Sequence, residues 1–296
     1  MSTSQTATAV VAPPLADHTS EQSQLTRLRR RFAVSGLLGG SALLFLSTTV
    51  VNLGNYLFNL ILGRWLGPAA FSDLSLIVTL MLILTLITAT LQTVAAKFAA
   101  TYDVDGNVNE VSGLRRWAQR WAWGVGAIVA VVFVAGATFW RDFFNADSSW
   151  PFVILGVGIP IYFAQGVDRG ILQGRRRFGR LALSYQAEMW ARLVVGIVAV
   201  AIGWSVNGAV GALTLSFVAT WLVARTVASD LPDEATFDQS SRHAVAIYAI
   251  PVAMALVGQI LINNSDVLIV KRFFEAEAAG HYAALALIGR IVFFAT

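Results

Sequence analysis

Long apolar stretches recur along the chain, separated by short breaks rich in Gly, Arg and Asp. Their pattern predicts helices over about 32–62, 70–100, 112–140, 150–172, 178–203, 207–229, 240–271 and 277–296. Crossing a hydrocarbon core of ~30 Å takes about 20 mostly apolar residues, and each stretch is long enough. The pattern therefore predicts an all-α polytopic membrane protein with eight spans.

Composition agrees. Hydrophobic residues make up 56% of the chain and charged residues 13%, with a mean hydropathy of +0.66, far more apolar than an ordinary soluble domain. Cysteine is absent, which excludes disulfides, thiolate metal sites and thiol nucleophiles. His18, His243 and His281 have no metal-ligand spacing, so neither a metal nor a catalytic residue is expected. A net charge of +4 and pI near 9.8 raise the question of nucleic acid, but the position of the charges answers it. Alternating the loops between two sides gathers Arg27, Arg29, Arg30, Arg31, Lys97, Arg115, Arg116, Arg120, Arg169, Arg175, Arg176, Arg177, Arg180, Arg225 and Arg242 together. Only Arg64, Arg141, Lys271 and Arg272 fall opposite. By the positive-inside rule the first set is cytoplasmic, which places the N-terminus inside. The basic turn Gly174–Arg180 has no P-loop pattern and suits anionic lipid.

Residues 1–31 begin with a polar stretch without apolar period and are expected as a disordered cytoplasmic tail. Residues 32–229 form a first lobe of six helices. The polar break at 230–239, with Asp230, Pro232, Asp233, Glu234 and Asp238, reads as a cytoplasmic linker. Residues 240–296 then supply the first two helices of a second lobe, expected to be incomplete because the sequence stops with its last helix still apolar. Trp65, Trp117, Trp140, Trp150 and Trp204 flank predicted span ends, as aromatic belts do.

An offset of 208 residues places Asn55 on Asn263, Leu60 on Leu268, Ile61 on Ile269, Arg64 on Arg272 and Trp65 on Phe273. Six helices separate the copies, so both enter the membrane from the same side. Parallel repeats of this kind occur in transporters whose halves rock about a central site.

Several polar residues fall where burial is costly. Asn52, Asn55 and Asn59 share one face of the first helix by their spacing of three and four. Asn263, Asn264 and Asp266 lie on the seventh helix, and Asp73 opens the second. These amides either tie helices together or line the outward half of a wetted cleft. A carboxylate such as Asp266 needs a partner or water. Arg192 and Arg290 lie some 12 to 13 residues into their helices, ~18–20 Å from the entry face. Glu188 precedes Arg192 by one turn and reads either as its internal salt-bridge partner or as part of a site. Arg290 has no carboxylate within one turn and is the strongest single candidate for holding an anionic group, which a planar guanidinium grips with two parallel hydrogen bonds. With Arg64 near the end of the first helix, the candidate cavity set is Asn52, Asn55, Asn59, Arg64, Asp73, Glu188, Arg192, Asn263, Asn264, Asp266 and Arg290.

The run Asn59–Ser72, NLILGRWLGPAAFS, resembles the close of the first helix in bacterial polysaccharide flippases of the multidrug/oligosaccharidyl-lipid/polysaccharide exporter superfamily. Arg64, Leu66, Gly67, Pro68 and Phe71 fit the pattern, while Ser72 stands where Gly is usual. Leu172, Gln173 and Gly174 are similar to the turn after the fourth helix. Asp266, Gly280 and Tyr282 match features of the seventh helix and the start of the eighth. The resemblance implies two six-helix lobes, a central cavity and alternating access, flipping a polyprenyl-phosphate-linked glycan across the bacterial cytoplasmic membrane beside glycan biosynthesis enzymes. Within the same architecture a drug or metabolite antiporter remains open, with H+ or Na+ carried by Asp266 or Glu188. A membrane-embedded glycan polymerase or ligase is a third reading, though the predicted outer loops are short and poor in carboxylates. No cofactor and no nucleic acid is expected.

Overall fold

The computed structural model describes residues 18–232, 235 and 237–295, with side chains from residue 39 onward except at 41, 260, 263, 287, 288 and 290–295. The chain divides into residues 1–42 and 43–296. In the first unit the described backbone, from His18, is helical. Residues 18–31, expected within a disordered tail, are thus helix, and they contain neither Gly nor Pro, the two residue types that most disfavour one. The second unit contains all the later helices.

Helix α1 (His18–Val104) is broken at Gly67, whose φ of 75° and ψ of 169° are not helical. Glycine takes that conformation without a Cβ penalty, and Pro68 then opens the second arm, where a missing N–H costs nothing. The first two predicted spans are these two arms. After them come α2 (Val108–Ala135), α3 (Ala137–Phe143), α4 (Trp150–Gly174), α5 (Phe178–Ala201) and α6 (Ser205–Ala224). A 3-10 turn, Arg225–Asp230, leads to α7 (Gln239–Phe273) and α8 (Ala276–Ala295), with no strand among the described residues. The third predicted span is divided: α2 stops at Ala135, and Trp140 Nε1 donates to Val132 O at 3.1 Å across the Gly136 turn. Five helical segments among the described residues are long and apolar enough to cross a membrane, and Ala42–Val104, at 63 residues, has the length for two crossings.

Close approach of α4 to the second arm of α1 depends on a stripe of small residues. A Cβ on Gly166 would meet Thr88 O at 2.8 Å, one on Gly170 would meet Gln92 O at 2.5 Å, and one on Gly174 would lie still nearer Ala96 O. Spacing by four puts all three on one helix face, the arrangement that lets membrane helices touch backbone to backbone. Beyond this seam Phe58, Leu74, Phe152, Phe163 and Phe217 fill the larger core cluster. Helix α8 packs against the α1 break so closely that a Cβ on Gly280 would collide with Pro68 O.

The described residues of the polar break before α7 are docked. Ser112 Oγ donates to Pro232 O at 2.7 Å, Arg116 donates to Ala235 O, and Asp230 pairs with Arg180 at 2.7 Å. Phe237 is buried, with Tyr102 edge-on at 6.4 Å and Trp117 tilted at 5.9 Å. Asp238 caps α7 by accepting from Ser240 N at 3.0 Å and from the Ser240 hydroxyl, and these bonds hold its carboxyl below the ordinary range. Trp117 therefore supports this segment, whereas Trp65, Trp150 and Trp204 are exposed, as belt residues are.

Candidate functional site

A cavity of about 290 Å³ lies where both arms of α1 meet α5, α7 and α8. Its polar wall holds Asn55, Asn59, Ser75, Thr79, Glu188 and Arg192, and Phe71, Met81, Val267 and Ala283 supply much of its apolar wall. Arg192 is fixed in two directions: Nη2 donates to Glu188 Oε1 at 2.7 Å, one turn back on α5, and Nη1 donates to Asn55 Oδ1 at 3.1 Å. Its Nε has no partner among the described residues. Asn59 Nδ2 donates to Asn55 O at 2.9 Å, one turn back on α1, and both residues border the cavity.

Glu188 is shared. Its Oε2 lies 2.8 Å from Arg169 Nη2, so one carboxylate faces two guanidiniums, and all three side chains are nearly buried. Arg169 is enclosed further by Ser184, with Nε to Oγ and Nη2 to the carbonyl both at 3.1 Å, and its guanidinium lies 4.1 Å from the centre of the Tyr185 ring. The sequence pattern groups Arg169, near the end of the predicted fourth helix, with the arginines of the cytoplasmic side, without predicting its burial. The structure puts it inside α4, and the nearby small-residue stripe is what brings that part of the helix into the packed interior. Sequence reasoning misses Asp168 beside it as well. Asp168 is fully buried and accepts from Arg115 Nε at 2.7 Å.

Of the predicted set, Asn55, Asn59, Glu188 and Arg192 come together in one cavity. Asn52 does not: it is exposed and outside this cavity. Arg64 is also exposed and borders a separate depression of about 230 Å³ with Tyr56, Asn59 and His281. Asp73 is paired with Lys271, Nζ to Oδ1 at 2.6 Å, and Ser72 Oγ accepts from the same ammonium at 2.9 Å. Lys271, expected at an outer turn, is therefore buried. Asp73 and Lys271 border a larger cavity, about 540 Å³, with Asn145, Asp147, Ser205 and Asn207 on its other walls. Asn264 is buried, and Asp266 accepts from Tyr282 OH at 2.9 Å. The side chains of Asn263 and Arg290 lie outside the described residues, so the strongest single candidate from the sequence is not placed. No group of His, Asp and Glu able to hold a metal occurs among the described residues.

This bundle of long apolar helices resembles several solved structures in fold. A multidrug resistance MATE family transporter of the MOP superfamily in its inward-facing conformation superposes with a TM-score of 0.64 at 16% identity, covering 83% of this chain and 61% of that one. An outward-facing MATE family transporter of the same superfamily also gives 0.64, at 17% identity, covering 78% and 54%. A MOP superfamily transporter from Pyrococcus furiosus gives 0.63 at 16%, again covering 78% and 54%. Residues 37–292 match the model of the polysaccharide biosynthesis protein family, and the chain belongs to that family. An uncharacterized protein of Mycobacterium tuberculosis, strain H37Rv, is 31% identical over 145 residues, 46% of this chain and 33% of the relative. The same figures hold for an uncharacterized protein of strain CDC 1551. The aligned part of the chain thus spans about a third of these curated relatives. The resemblance to a polysaccharide family is borne out, as is the all-helical membrane fold.

Proposed function

We propose that this chain forms part of a flippase for a polyprenyl-phosphate-linked oligosaccharide, working by alternating access in the bacterial cytoplasmic membrane with its N-terminus inside. The observation that carries this reading is Arg192, held by Asn55 at a cavity beside the middle of α5. From Phe178, Arg192 is 14 residues along, or ~21 Å at 1.5 Å per residue. An arginine at that depth is expensive against lipid and is kept where it meets protein, water or an anion. Phosphate oxygens suit a guanidinium geometrically, and the Asn55 and Asn59 amides suit hydroxyl or phosphate oxygens beside it. The cavity is at the small end of ligand pockets, of a size for a head group and not for a long glycan.

In this reading residues 32–229 are a first six-helix lobe, 230–239 a linker, and α7 and α8 the opening helices of a second lobe. Asp73 and Lys271 then close the outer end between them. The antiporter alternative assigns the coupling ion to Asp266 or Glu188. Glu188 already neutralises guanidiniums on both of its oxygens, which makes it a poor seat for a further cation.

Photocrosslinking tests the proposal. A polyprenyl diphosphate sugar with a diazirine beside its phosphates, bound to the detergent-solubilised chain, is expected to label peptides containing residues 55–82 and 188–192. Labelling confined to exposed apolar positions such as Val131 and Leu222 would overturn it.

A further inference from the structure

We infer that Arg169 is a positioning residue that sets the charge of the cavity without touching the ligand, by keeping Glu188 from neutralising Arg192. The inference rests on the anion-binding reading of Arg192. One carboxylate between two guanidiniums leaves one positive charge over the group. Its location is decided by access. Arg169 is sealed by Ser184 and Tyr185 and does not border the cavity, whereas Arg192 borders it and keeps Nε without a partner among the described residues. The excess charge is thus presented by Arg192.

The two oxygens of Glu188 are divided between the arginines, Oε1 to Arg192 at 2.7 Å and Oε2 to Arg169 at 2.8 Å. Removing Arg169 would leave Glu188 and Arg192 as a plain ion pair with no net charge, and an anion would have to compete with a full carboxylate for the guanidinium. In a site shielded from water such competition is strong. Removing the carboxylate instead would raise the cavity's charge by one. Removing both would return it to a single positive charge, now on Arg192 alone. Effects of opposite sign that cancel in the double variant are what a charge-setting role predicts, and a role in packing alone does not produce them.

Equilibrium binding of farnesyl diphosphate to the detergent-solubilised full chain tests this, with monodispersity on size exclusion as the check on folding. Arg169→Gln is expected to weaken binding about tenfold, within the usual range of coupling between groups. Glu188→Gln is expected to tighten binding, and Arg169→Gln with Glu188→Gln to restore it to within about threefold of wild type. If either variant lacking Glu188 fails to fold, Arg169→Lys decides. Lysine keeps the charge beside Glu188 but cannot reproduce the forked contact with Ser184, so retained affinity supports the inference, and a loss equal to that of Arg169→Gln overturns it. A double variant as weak as Arg169→Gln also overturns it. Failure of the reading beneath it is distinguishable: Arg192→Gln would then bind farnesyl diphosphate as wild type does.

Discussion

Lys271 Nζ lies 2.6 Å from Asp73 Oδ1, joining the end of α7 to the beginning of the second arm of α1 across 198 positions of sequence. Both side chains are at least nine-tenths buried. Such a pair contributes little net stability compared with apolar residues of similar shape, but losing one partner strands a charge.

Asp73→Asn is accordingly expected to destabilise the chain by roughly 3–5 kcal/mol, seen as a lower melting temperature in detergent. Asp73→Leu combined with Lys271→Met should recover most of that loss. A double variant whose loss is the sum of the single losses would show that the two residues do not act as a pair.

The segment before α7 is expected to depend on its aromatic anchor. Phe237 is only 5% exposed and is held between Tyr102 and Trp117. Phe237→Ala removes the ring from this slot at a cost of about 3–5 kcal/mol if the core does not adjust. Limited proteolysis should then cut between residues 225 and 242 far faster than in wild type, with a change in Trp117 emission. Unchanged cutting would mean that the segment is held without the Phe237 ring.

Much of this fold is legible in the sequence because apolar length is a direct demand of the bilayer. Each predicted span falls mainly on helix, and the glycine at the α1 break stands where the run LGPAAF marks it. Glu188 and Arg192 are legible for a similar reason, since a spacing of four on one helix makes a contact without knowledge of the rest of the fold. Asn52 shows the limit of spacing alone: sharing a face with Asn55 does not fix how far along the helix the cavity extends. Arg169 falls within the predicted fourth helix, but its place near the cytoplasmic end among other arginines gives no sign that its side chain is buried. Its signal is the Gly166, Gly170, Gly174 stripe, which continues the packed helix past it. The Asp73–Lys271 pair has no local signal, because its partners meet only through tertiary packing.

Packing along that stripe can be probed by filling it. A Cβ at Gly170 would lie 2.5 Å from Gln92 O and 2.7 Å from the Ala95 methyl, neither of which can swing away. Gly170→Val should cost at least about 1–3 kcal/mol through overpacking, whereas Gly179→Ala, which meets nothing within 4 Å, should be neutral or slightly stabilising. Equal melting temperatures for the two variants would rule out backbone contact between α4 and α1.

The most direct test of an anion site at Arg192 compares farnesyl diphosphate with uncharged farnesol, binding to wild type and to Arg192→Gln under the same conditions. Arg192→Gln is expected to lose affinity for the diphosphate by about tenfold or more, equivalent to ~1.4 kcal/mol, while farnesol binds both proteins alike. Equal diphosphate affinity in the two proteins would contradict an anion site there.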